Sequence, residues 1–369
     1  MSYPVFAFVG TYTENIQTGT GRMLEGKARG IHIFRFDSDC GALEAVGVAE
    51  GVRNPSYVVA DPAGRFLYAV NEVKDFAGSS AGAVSAFAID RPTGALTLLN
   101  SVPSGGSDPC HLIVDASGRY VLVANYSSGS MAVLPIRPDG SLGRATDVVQ
   151  HEGASADPIR QRGPHVHASA TDRLGRYIFT VDLGLDRVMI YRLDLSSGRL
   201  LPNVVPSFET PPGAGPRQLA LHPDNLRAYI INELDSTMTA CDFDAATGAL
   251  DGFQTLSTLP AGFTGINTSA EVQVSPSGKF LYGSNRGHDS LVIYAIDESS
   301  GRLEVVGHEP TRGNAPRSFC ISPSGLFIAV VNQNSDNLVV FGIDGRSGSL
   351  AATGHEVAVP TPVCVRFLA

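Results

Sequence analysis

One turn pattern recurs seven times along this 369-residue chain and restricts its fold more than any other feature. Its core is an acidic residue near the start, Ser, Thr, Asp or Cys before Gly, one further residue and then Leu. The copies are DSDCGAL (37–43), DRPTGAL (90–96), RPDGSL (137–142), DLSSGRL (194–200), DAATGAL (244–250), DESSGRL (297–303) and DGRSGSL (344–350). Gly supplies the positive φ of a tight hairpin, and the Asp or Ser side chain can bond its own backbone. Each copy follows an apolar or alternating run such as AVSAFAI (83–89) or SLVIYAI (290–296), so each reads as the hairpin between a third and a fourth strand.

A second turn appears six times: DPAGR (61–65), DASGR (115–119), DRLGR (172–176), HPDNLR (222–227), SPSGK (275–279) and SPSGL (322–326). Strand-like runs flank each, as expected between a first and a second strand. The seventh such turn is missing where the termini would meet. TPVCVRFL (361–368) resembles a first strand and VFAFVG (5–10) a second. Side by side they would close a last unit from both ends of the chain and remove an exposed sheet edge. The expectation is an all-β, seven-bladed propeller of four-stranded antiparallel blades, one domain over residues 1–369. A pair of β-sandwiches with chance turn similarity fits poorly with turns spaced about 46 to 58 residues apart. A helical repeat fails because the runs are short and punctuated by Gly.

Composition excludes several function classes. The formal charge of -9 disfavours nucleic acid and anionic membrane as partners, so an anionic ligand would need local Arg. Five scattered Cys without a CxxC pair argue against a disulfide framework or a structural zinc site. Residues 1–10 lack the charged region and long apolar core of a secretion signal, and no apolar run is long enough for a membrane span. A cytoplasmic protein, monomeric or weakly dimeric, is expected.

In such blades the start of the innermost first strand and the end of the second lie at one mouth of the central channel. Second strands end at Asn71-Glu72, Asn125-Tyr126, Val181-Asp182, Asn232-Glu233, Asn285-Arg286 and Asn332-Gln333, with Gly10-Thr11 in the split blade. First strands begin near Pro55-Ser56, Pro109-Cys110-His111, Pro164-His165-Val166-His167, Pro216-Arg217-Gln218, Ala270-Glu271 and Pro316-Arg317. The recurrent Asn reads as structural, bonding backbone at a strand end. The residues around it differ from blade to blade, as in a site assembled from unlike parts. Three Arg, three His and several carboxylates thus converge on one opening, where burying charge is costly without partners or a ligand. Each one alone reads equally well as a paired rim residue. The insertions 17–30, 74–83 and 151–163 fall at this same mouth and read as lids or specificity elements.

At these residues the chain resembles the propeller-type 6-phosphogluconolactonases, a family that includes fungal carboxymuconate cyclases. The segments that carry the resemblance include FVGTYT (8–13), DPCHLIVD (108–115), NYSSGS (125–130), GPHVHAS (163–169), GAGPRQLALHP (213–223), INELDST (231–237), SNRGHDS (284–290), APRSF (315–319) and PVCVRF (362–367). The resemblance implies hydrolysis of a sugar lactone, 6-phosphogluconolactone to 6-phosphogluconate of the pentose phosphate pathway. It places catalytic roles on His165, Arg217, Glu233 and Arg286. It also makes Arg317, His111, His167, Asn285, His288, Tyr126 and Gln218 candidate substrate contacts, with Gln218 standing where relatives often have His.

Two of Arg217, Arg286 and Arg317 would anchor a phosphate or carboxylate and the third would stabilise the oxyanion. Glu233 or His165 would take the proton of the attacking water. No metal or cofactor is required. His165 and His167, two apart on a strand, could share a metal, but the arginine-rich mouth disfavours one. The rival readings are an enzyme closing or opening a muconate-type lactone, and a noncatalytic binding propeller. The absence of Trp and the low aromatic content count against the latter.

Overall fold

The computed structural model describes residues 4–19 and 21–368, so Met1–Tyr3, Thr20 of the 17–30 insertion and Ala369 lie outside it. Among the described residues there is no helix, and strands form seven four-stranded antiparallel sheets with one small accessory hairpin. Blade one comprises Tyr57–Ala60, Phe66–Asn71, Ala83–Ile89 and Leu96–Pro103; five more repeat that order. The closing blade takes its inner strand from Pro362–Leu368, then Val5–Thr11, Gly30–Phe36 and Leu43–Glu50. Phe6 pairs with Leu368 and Gly10 with Cys364, so the two ends of the chain supply the seventh hairpin's strands. The seven inner strands touch in a closed circle.

The core lies between blades. Apolar side chains of the closing blade, such as Ala7, Val9 and Phe34, pack on Phe327, Ala329, Val331 and Val340 of blade six. The repeated Gly explains part of this stitching. Gly94 (φ 75°) and Gly348 (φ 74°) take the left-handed turn conformation. A Cβ on Gly94 would also lie 2.6 Å from the ring of Phe6, and one on Gly348 would lie 2.3 Å from Phe280. Both hairpins therefore seat against an aromatic side chain of the preceding blade. The turn motif recurs because conformation and close packing both demand Gly.

The recurrent Asn is a bracket between blades. The amides of Asn71, Asn125, Asn285 and Asn332 donate to the carbonyls of Arg53, Ser104, Thr258 and Thr311, each just beyond the preceding blade's outer strand.

A bulge opens near the start of six inner strands, Val363 being the residue skipped in the closing blade. Pro109 faces Asn125 and His111 faces Ala124, leaving Cys110 unpaired; His167, Arg217 and Arg317 are skipped in the same way. In blade five Ala270 and Glu271 are skipped. A bulge re-aims side chains, and here Cys110, His167, Arg217, Glu271 and Arg317 all line one cavity in the channel.

Candidate active site

The bulges and the second-strand ends build one ionic cluster at the mouth. Glu233, 5% exposed, sits at its centre. Arg160 Nη2 donates to Glu233 Oε1 at 2.7 Å, while Arg286 Nη2 and Arg217 Nε lie 2.9 and 3.0 Å from Oε2. Burial alone would raise the Glu233 carboxyl, but Arg286, Arg160 and Arg217 hold it well below the ordinary range. Arg217 is further fixed by donating to the Ala270 carbonyl at 2.6 Å, and Arg286 by donating to the Ser269 carbonyl. Burial, with Arg217 and Arg317 nearby, pushes Arg286 down to about 10, which leaves it charged near neutrality.

Two histidines flank this cluster through Tyr126. The His165 ring stacks on Tyr126 with centroids 4.5 Å apart, and the His167 ring meets it edge-on at 5.6 Å. His165 lies just before the strand Val166–Thr171 and His167 occupies the bulge, so the two do not share a strand face as a period of two would require. His165 Nδ1 is 3.1 Å from the Tyr126 carbonyl. A carbonyl only accepts, so Nδ1 carries the hydrogen and Nε2 is left as an acceptor. The His165 N–H donates to Asp182 Oδ1, whose other oxygen bonds the buried His151. His167 is different: burial, then Arg217, lowers its pKa well below the ordinary value and keeps it neutral.

A second carboxylate lies on the same wall. Tyr12 donates to Glu72 at 3.1 Å, Arg317 lies over the Tyr12 ring at 5.9 Å, and burial raises the Glu72 carboxyl. The channel cavity has a volume of about 10 Å³, room for about one water molecule. Besides the bulge residues it is lined by Ser56, Tyr57, Glu72, Gln218 and Ser318.

Not every sequence expectation falls here. Arg217, Glu233, Arg286, His165, His167 and Tyr126 come together, and Arg317 and Gln218 line the adjoining cavity. Asn285 is not a free contact: its amide donates to the Thr258 carbonyl and its oxygen accepts from Thr258, Asn267 and Ser269. His288 packs on Phe263 and bonds Ser290, on the outer side of its blade. His111 lies deeper, 4.2 Å from the Tyr57 ring, and burial, aided by Arg366 and Arg217, keeps it uncharged. Three participants escaped the sequence reading. Arg160 sits in an insertion with no strand period, and Tyr12 follows the closing blade's second strand. Arg366 hides within PVCVRF, where it pairs with Glu271 at 3.2 Å. Among the described residues no group of three or more His, Cys, Asp and Glu is gathered as a metal site would need.

The comparisons agree with this geometry. A family model described as "Lactonase, 7-bladed beta-propeller" matches residues 6–367. A 6-phosphogluconolactonase of Bacillus subtilis is 35% identical over 98% of this chain and 97% of its own length. One from Formosa agariphila is 31% identical over 85% of each chain. The solved periplasmic gluconolactonase of Pseudomonas aeruginosa superposes with a TM-score of 0.90 at 36% identity, covering 99% of both chains. With blades, ring closure and the mouth cluster all in place, this chain belongs to the seven-bladed β-propeller lactonase family.

Proposed function

We propose that this protein hydrolyses 6-phosphogluconolactone to 6-phosphogluconate at the mouth centred on Glu233. The observation that carries the reading is the excess of guanidinium there. Arg160, Arg217, Arg286 and Arg317, with Arg366 deeper in the channel, outnumber the nearby carboxylates Glu233, Glu72 and Glu271. Such a surplus complements a phosphate dianion, and guanidinium forks match its oxygens.

Roles follow from the surroundings of each group. Glu233 is a poor proton acceptor because three guanidiniums stabilise its charged form; it serves instead as a fixed anion that aligns them. His165 presents a free Nε2 and is the group that takes the water proton as the hydroxide oxygen bonds to the lactone carbonyl carbon. Arg217, held deep in the channel, is placed to stabilise the oxyanion that forms. The tetrahedral intermediate then collapses, the ring C–O bond breaks, and the leaving alkoxide is protonated from the imidazolium.

The test is acid release from freshly made 6-phosphogluconolactone, corrected for spontaneous breakdown, beside glucono-δ-lactone. We expect kcat/KM for the phosphorylated lactone to exceed that for the unphosphorylated one at least about tenfold, the effect of one charge-assisted contact. Equal values, or no acceleration of the phosphorylated substrate, would contradict the reading.

A further inference from the structure

Arg160 is the one guanidinium on Glu233 that does not come from a blade strand. It lies in the connection between the outer strand Asp147–Gln150 and the inner strand Val166–Thr171. The connection is nonetheless tightly built. Asp157 Oδ1 accepts the N–H groups of Ile159 and Arg160 at 2.8 and 2.9 Å. Fully buried Gln161 donates to the Leu183 carbonyl and accepts from the Asp157 N–H. The Arg160 backbone is thus fixed before its side chain reaches the mouth.

At the mouth its Nη2 donates to both Glu233 Oε1 and the Tyr126 hydroxyl, at 2.7 and 3.2 Å. Its Nε is buried and has no partner, and the same holds for Nε of Arg286 on the other side of Glu233. A buried charged donor left unpaired is costly, unless a ligand completes it. A second insertion covers the head group: the hairpin formed by Ile16–Gln17 and Met23–Leu24 brings Gly19 over it. A Cβ on Gly19 would lie 2.9 Å from both Arg160 Nη2 and the Tyr126 hydroxyl.

We propose that Arg160 is a specificity residue, gripping the phosphoryl group of the lactone through its unpaired N–H, with Gly19 leaving it room to do so. This rests on the phosphorylated-lactone reading above and adds a residue to it. Neither residue lies in the ring, so the grip belongs to the two insertions that meet over the mouth.

The experiment compares wild type with Arg160→Met, Arg160→Lys and Gly19→Ala, measuring kcat/KM on 6-phosphogluconolactone and on glucono-δ-lactone. Arg160→Met should lower the ratio of the two by roughly tenfold, chiefly through KM, the scale of one charged hydrogen bond to phosphate. Arg160→Lys should recover part of the ratio, and Gly19→Ala should lower it less. An equal loss on both lactones by Arg160→Met would make Arg160 only a support for Glu233 and overturn the inference while leaving the substrate reading intact. Wild type inactive on the phosphorylated lactone would sink both.

Discussion

Glu233→Gln should lower kcat by about a hundred- to a thousandfold and, at the same time, tighten inhibition by inorganic phosphate. The two effects have one cause. The carboxylate neutralises part of a cluster in which Arg160, Arg217 and Arg286 all lie within 3.0 Å of its oxygens. Gln keeps the shape and removes the charge, so the guanidiniums repel one another, lose the geometry needed in the transition state, and welcome any anion that restores balance. Losses on that scale correspond to about 3–4 kcal/mol. Removing one partner of a buried pair also destabilises by about 3–5 kcal/mol, so the melting temperature should fall; the Gln amide oxygen softens this. The measurement is steady-state kinetics with phosphate as inhibitor. Lost turnover with unchanged phosphate inhibition would mean that Glu233 moves the proton itself.

His165→Ala should lower kcat by about 10² to 10⁴, the range for losing a general base, with KM changed by less than about threefold. The fold should tolerate the change, because His165 is half-buried and its backbone N–H remains bonded to Asp182. Added imidazole should restore part of the rate by occupying the space above Tyr126. That rescue separates a proton acceptor from a residue that merely packs. No rescue, together with a KM effect as large as the kcat effect, would move the role to another group; His167 is the nearest imidazole to test.

The ring was legible because it is a repeat: seven turns of one kind, six of another, and termini that supply the missing hairpin. The Gly in those turns was readable as conformation, while its contact with the neighbouring blade's aromatic side chain was visible only in three dimensions. At the mouth, second-strand ends such as Glu233 and Arg286 could be read directly from their place after Asn. The inner strands were harder. A bulge breaks the period of two, so His167 rather than His165 takes the place that Arg217 and Arg317 hold in their blades. Asn285 looked like part of the site, but its neighbours use every polar atom it has. Arg160 had no period to announce it. Its position depends on a turn stitched by Asp157 and Gln161, and no strand pattern encodes that.

The most direct test of the central claim, an anion site shared among unlike blades at one mouth, is a crystal structure with the stable product 6-phosphogluconate. Phosphoryl oxygens are expected within hydrogen-bonding distance of Arg160 and Arg286, and the product carboxylate facing His165 and Arg217. Product bound at the opposite mouth, or held by none of these four side chains, would contradict the claim.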